Sequence, residues 1–168
     1  MSNDGEKTST AYRLERIELD ERSLAPATAD IEHERKIAVY DLLQENSFRP
    51  VADNQEPGSG PYALYMSASE GRLIFDIRQT DETPVGQLYL SMAPLRKIIK
   101  DYFLLCDSYY DAIRNAAPQQ IETIDMARRA MHNEGSELLV SRLEDKVKVD
   151  FNTARRLFTL LCSFYMRK

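Results

Sequence analysis

Few side chains in this sequence do chemistry on their own: it holds two histidines, two cysteines and no tryptophan. His33 stands between Glu32 and Glu34. Residues one apart project to different sides of a helix, so these three do not converge, and His33 reads as a surface residue. His132 opens the segment His132-Asn133-Glu134-Gly135. Asn and Gly there predict a helix end, where an imidazole bonds free carbonyls and is favoured by the dipole. His-x-Glu is also a spacing of zinc deaminases, but those require a Pro-Cys-x-x-Cys partner segment. Cys106 and Cys162 lie 56 positions apart and neither has a neighbouring cysteine. That pattern does not supply a zinc ligand set, so no metal is expected. Both thiols sit in apolar helical patterns and read as reduced core residues.

Two further clusters carry polar chemistry. Asp107-Ser108-Tyr109-Tyr110-Asp111, with Arg114, puts carboxylates and phenols along one stretch of helix. It reads either as a solvated flank with an ion pair or as one wall of a ligand pocket. Ser108 has no nucleophile-elbow sequence around it. Asp76 and Arg78 share the strand face opposite Leu73, Phe75 and Ile77, where charges pair across strands or line a binding surface. Pro57-Gly58-Ser59-Gly60-Pro61 lacks the Gly-Lys-Ser/Thr of a phosphate cradle, so it reads as a loop, and no cofactor is expected.

The elements that would position these residues follow from hydrophobic rhythm. Residues 1–10 are polar and aperiodic, a tail; 11–168 read as a single α+β domain. Tyr12 to Leu19 alternates, with a phase slip at Glu15-Arg16, predicting a bulged strand. Thr28 or Asp30 caps a helix to about Glu45, with Ile31, Ala38, Val39 and Leu42 inward. Residues 49–61 read as loop. Three strands follow, Tyr62–Ser67, Arg72–Arg78 and Gly86–Met92, as an antiparallel meander. After Pro94 the period becomes helical. Leu95, Ile99, Tyr102, Cys106, Tyr109 and Ile113 stripe one long helix, and Pro118 opens a second. Asn133-Glu134-Gly135 interrupts it, Ser136 caps a shorter helix, Val147-Lys148-Val149 is extended, and Asp150 or Asn152 caps the last helix. The sum is a small antiparallel sheet of about four strands covered by four or five helices, the C-terminal half all helical.

Composition bounds the function class. A chain of 168 residues suits one core. The N-terminus has no apolar stretch, and Leu157 to Cys162 falls far short of the roughly 20 residues that cross a bilayer, so a cytoplasmic protein without a membrane segment is expected. From Ala93 onward there are 13 Lys and Arg against 10 Asp and Glu; before it, 9 against 17. A helix-turn-helix reader needs a basic second helix, yet Ser136–Asp145 carries Glu137, Glu144 and Asp145 against Arg142.

Several segments together resemble one family. They are Glu32-His33-Glu34-Arg35-Lys36, Glu45-Asn46-Ser47-Phe48, Gly60-Pro61-Tyr62, Phe75-Asp76-Ile77-Arg78, Lys100-Asp101-Tyr102-Phe103 and Cys106-Asp107-Ser108-Tyr109-Tyr110. His132 through Leu139, and Asp150 with Thr153 to Phe158, complete the set. The chain is similar, from about Tyr12 to the last helix, to an uncharacterised protein family of alphaproteobacteria. The resemblance implies a bacterial cytoplasmic protein of this size and transfers no activity and no catalytic residue.

The leading expectation is therefore a non-enzymatic regulatory or adaptor protein that binds another protein, motivated by nine Tyr, a residue suited to contact surfaces. The alternative is an enzyme or small-molecule binder with a polar pocket between sheet and helices. Its candidate residues are Asp76, Arg78, Asp107, Tyr109, Tyr110, His132, Asn133 and Glu134. The least favoured reading is RNA or ribosome association through Arg128-Arg129, Lys146, Lys148, Arg155 and Arg156. Oligomeric state and partner identity are left open by the sequence.

Overall fold

Local signals set the first elements. The computed structural model describes residues 12–51 and 60–166; the predicted tail and most of the Pro57–Pro61 loop lie outside the described residues. Strand β1 (Leu14–Leu19) breaks register between Leu14 and Arg16, at the slip in its alternation. Thr28 caps helix α1 (Ala29–Gln44), its hydroxyl accepting the Ile31 N–H at 3.2 Å. Ile31, Ala38 and Leu42 are buried along α1 as expected, and Arg35 joins them. A buried arginine needs partners: Arg35 donates to Glu21 at 2.7 Å and to the Ala25 carbonyl at 3.2 Å, and its guanidinium lies over the Phe164 ring.

Strands β3 (Tyr62–Ser69), β4 (Arg72–Gln79) and β5 (Pro84–Ser91) form the expected antiparallel meander. Glu70 and Gly71, both with positive φ, make the two-residue turn between β3 and β4, the geometry that suits the twist of a hairpin. The sheet order is β1-β3-β4-β5, and β1 runs parallel to β3, so the four-stranded sheet is mixed rather than wholly antiparallel. The cause is connectivity: α1 intervenes between these strands, and a helical crossover returns the chain in the same direction. Leu64, Met66, Leu73, Phe75, Ile77, Leu88 and Leu90 make the buried face, in one core with residues of the C-terminal helices.

Two further expectations are corrected. Residues at the start of the predicted 49–61 loop are strand: β2 (Phe48–Pro50) pairs antiparallel with β6 (Val147–Val149). Phe48 and Val147 are buried there, and Pro50, last in the strand, forgoes a donor at little cost. The break at Asn133-Glu134-Gly135 does not exist. After α2 (Ala93–Asn115), helix α3 runs unbroken over Pro118–Leu143, and α4 spans Phe151–Ser163. Ser136 is buried inside α3, its hydroxyl donating to the His132 carbonyl at 2.8 Å instead of capping a new helix.

Gly135 has a packing reason. A Cβ built there would overlap the ring of Phe158 from α4. Gly135→Ala is expected to lower stability by about 1–3 kcal/mol through overpacking, against a helix-propensity gain of only about 1 kcal/mol. Urea unfolding of Gly135→Ala, alone and combined with Phe158→Leu, measures it. The pair should be coupled, and a Gly135→Ala protein as stable as the native one contradicts this packing.

Candidate functional site

The Phe158–Gly135 contact draws α3 and α4 together, and beside it opens a cleft of about 460 Å³. Helix α3 contributes Arg128, Arg129 and His132; α4 contributes Asn152, Arg155, Arg156 and Thr159; α2 contributes Tyr102. The α4 residues fall at i, i+3, i+4 and i+7, a polar stripe along a helix otherwise full of buried apolar residues. Among the described residues no carboxylate lines the cleft.

The four arginines are not equivalent. Arg128 donates to Asp125 at 2.5 Å and lies over the Tyr109 ring, 4.2 Å from its centroid. Arg129 uses its Nε on the other Asp125 oxygen at 3.1 Å and is otherwise well exposed. Arg156 donates to the Glu45 carbonyl at 2.8 Å, a cation placed at the C-terminus of α1. The Arg155 guanidinium makes no hydrogen bond or ion pair to the described residues. Four cations thus face two carboxylates, Asp125 and Glu45.

His132 forms part of the cleft wall. Its ring is edge-on to Phe158 (5.0 Å) and to Tyr102 (5.3 Å). Nε2 lies 2.8 Å from Thr159 Oγ1, and that hydroxyl gives its own proton to the Arg155 carbonyl. Nε2 is therefore the donor, and Nδ1 carries a lone pair that is buried without a partner. Burial, then Arg155 and Arg128, push the imidazole down to about 4, so it is neutral at pH 7. Burial also raises the Tyr102 hydroxyl and the Cys106 and Cys162 thiols, which stay protonated; both cysteines are free. His132 is thus mid-helix, and the helix-end role read from its sequence is overturned by the continuity of α3.

The other residues singled out in the sequence fall in different places. Tyr109 supports Arg128 from α2, and the Tyr110 ring packs edge-on against Tyr109 but is exposed. Asp107 and Glu134 are exposed; Asn133 is half-buried, its Oδ1 without a partner. Asp76 and Arg78 lie on the open face of the sheet, opposite the face that shares a core with the C-terminal helices. They pair along one strand at 2.8 Å, not across strands. Arg78 also bonds Glu82 at 2.8 Å and covers the Tyr65 ring, and Glu82 receives the Tyr65 hydroxyl at 2.6 Å and is paired with Arg16. The Tyr65 hydrogen bond and then Arg78 lower the Glu82 carboxyl. These charges satisfy one another at the surface, where such pairs contribute little. The eight candidates are therefore not brought to one pocket between sheet and helices. The arginines, which the sequence offered only as scattered basic residues, line the cleft. Their signal was the Asn152-Arg155-Arg156-Thr159 stripe.

Fold and site define an α+β protein with an arginine-lined cleft between two C-terminal helices. The model of an uncharacterised protein family, UPF0262, matches residues 11–167, and the chain belongs to that family. A UPF0262 protein of Azorhizobium caulinodans is 55% identical over 162 residues, covering 96% of this chain and 98% of its own. One from Xanthobacter autotrophicus is 53% identical, covering 92% and 93%, and one from Erythrobacter litoralis 51%, covering 93% and 98%. No solved structure matches. Among the described residues no helix is long and apolar enough to cross a membrane, and no His, Cys, Asp and Glu group is placed to hold a metal.

The state of His132 has a measurable consequence. An unfolded imidazole titrates near 6.5 and the native one near 4, so between these values the unfolded chain binds the extra proton. The stability His132 contributes is complete above about pH 6.5 and is lost as pH falls toward 4. The urea midpoint of His132→Gln should therefore fall less than that of the native protein between about pH 7 and pH 5. Equal slopes would show that the imidazole titrates normally.

Proposed function

We propose that this protein is a non-enzymatic binding protein that recognises an anionic group in the cleft between α3 and α4. The observation that carries the reading is four arginines around one cavity with no lining carboxylate among the described residues. Asp125 and Glu45 answer Arg128, Arg129 and Arg156 only in part, and the exposed Arg129 and Arg155 leave an excess of positive charge at one concave site, which favours an anion there. The side chains that could move protons are held still: His132 is too weak a base at neutral pH, and the Tyr102 hydroxyl and both thiols are locked protonated by burial. Such a wall binds and orients rather than transfers protons.

A regulatory or adaptor role is supported by a second feature. Leu104, Tyr110 and Ile113 on α2 and Met126 on α3 are exposed apolar side chains on two helices that also frame the cleft. Exposed apolar groups of this kind favour a protein partner. Occupancy of the cleft and contact with that partner would then act on the same helical pair.

Thermal unfolding in sulfate against chloride of equal ionic strength tests the anion reading. At sulfate ten times its dissociation constant the native protein should gain about 1.4 kcal/mol, roughly 3–5 °C. Arg129→Gln/Arg155→Gln should lose that gain while unfolding normally in chloride. An identical sulfate response in both proteins refutes the assignment.

A further inference from the structure

We infer that the anion taken by this cleft is the terminal phosphoryl group of a small molecule, held between Arg129 and Arg155. The inference rests on the cleft being an anion site at all, and adds which anion. Arg128 and Arg156 are already engaged, on Asp125 and on the Glu45 carbonyl, so they form the frame. Among the described residues the Arg155 guanidinium has no partner, and Arg129 uses only its Nε, leaving both of its terminal nitrogens free. Two guanidinium forks reaching in from two helices offer more donors than the two oxygens of a carboxylate accept. They match a tetrahedral dianion with three terminal oxygens.

Two further features agree. Asn152 stands in the first turn of α4, whose N-terminus is already capped by the Asp150 carboxylate, and its side chain lines the same cavity as the arginines. Asn152 is exposed and neutral, its amide suited to hydroxyl or carbonyl groups on the rest of the molecule. Size and surroundings separate a small molecule from a nucleic acid. About 460 Å³ is within the range of small-ligand pockets, on the order of 300–1,000 Å³. Outside the cleft the charge reverses: Glu45 is 86% exposed beside Arg156, Asp125 sits behind Arg128 and Arg129, and the chain as a whole is −5. A polymer of phosphodiesters leaving the cleft meets those carboxylates, whereas a single terminal phosphoryl group does not.

Isothermal titration of the full chain with pyrophosphate, succinate and a short oligothymidylate, at one physiological ionic strength, tests this. Pyrophosphate should bind at least roughly tenfold more tightly than succinate. Arg155→Gln should weaken it by a similar factor, with unchanged circular dichroism, and Arg155→Lys, which keeps the charge and loses the fork, should not restore it. Succinate binding as well as pyrophosphate would overturn the phosphoryl assignment. So would Arg155-dependent binding of the oligothymidylate in preference to pyrophosphate, and both results would leave the anion cleft standing. If none of the three probes binds in an Arg155-dependent way, the cleft reading falls with it.

Discussion

The ring of Phe158 resting on Gly135 is the contact on which the functional surface depends. A helix carries its side chains about 5 Å from its axis, so two helices approach closely only where one of them presents a hydrogen. Gly135 does so on α3, and Phe158 fills the space. That ring in turn packs against His132 and Tyr102, so three aromatic rings from three helices meet at one point. The arginines reach a common cavity because the helices that carry them are fixed at this crossing.

The N-terminal half of the chain fixes the other end of α4. Asp150 caps the helix, accepting the Thr153 N–H at 2.8 Å, and the Thr153 hydroxyl accepts the Ser47 N–H at 2.8 Å. Arg156 closes the C-terminus of α1 through the Glu45 carbonyl, and the β2–β6 ladder adjoins both attachments, β2 following Ser47 and β6 preceding Asp150. Helix α4 is therefore held at its first turn by polar bonds and along its length by burial of Leu157, Leu160 and Leu161. The free arginine at the cleft, Arg155, projects from a helix with little room to shift.

The molecule has two charged surfaces, and the contrast between them decides which one reads as a site. On the open sheet face, Arg16, Arg78, Tyr65, Asp76 and Glu82 answer one another's charges and hydrogen bonds. A ligand there would have to break pairs already made. In the cleft the balance is left positive, with one guanidinium unpartnered among the described residues and an imidazole kept neutral by burial and then by Arg155 and Arg128. An excess of one sign in a concave, partly desolvated place raises local affinity for the opposite charge in a way that paired surface charges do not.

Rhythm and capping were legible in the sequence because they act between near neighbours. The strand alternation from Arg72, the slip at Glu15-Arg16, the caps at Thr28 and Asp150, and the change of period after Pro94 all appear where the residues predict them. The family kinship was legible too. What the sequence misread was Gly135, whose local preference is to end a helix and whose actual role is set by a ring 23 residues later in the chain. The parallel pairing of β1, the burial of Arg35 and the meeting of four arginines around His132 are likewise long-range. Local sequence determines which backbone conformations are cheap; which side chains share a cavity is decided only when distant elements compete for the same core.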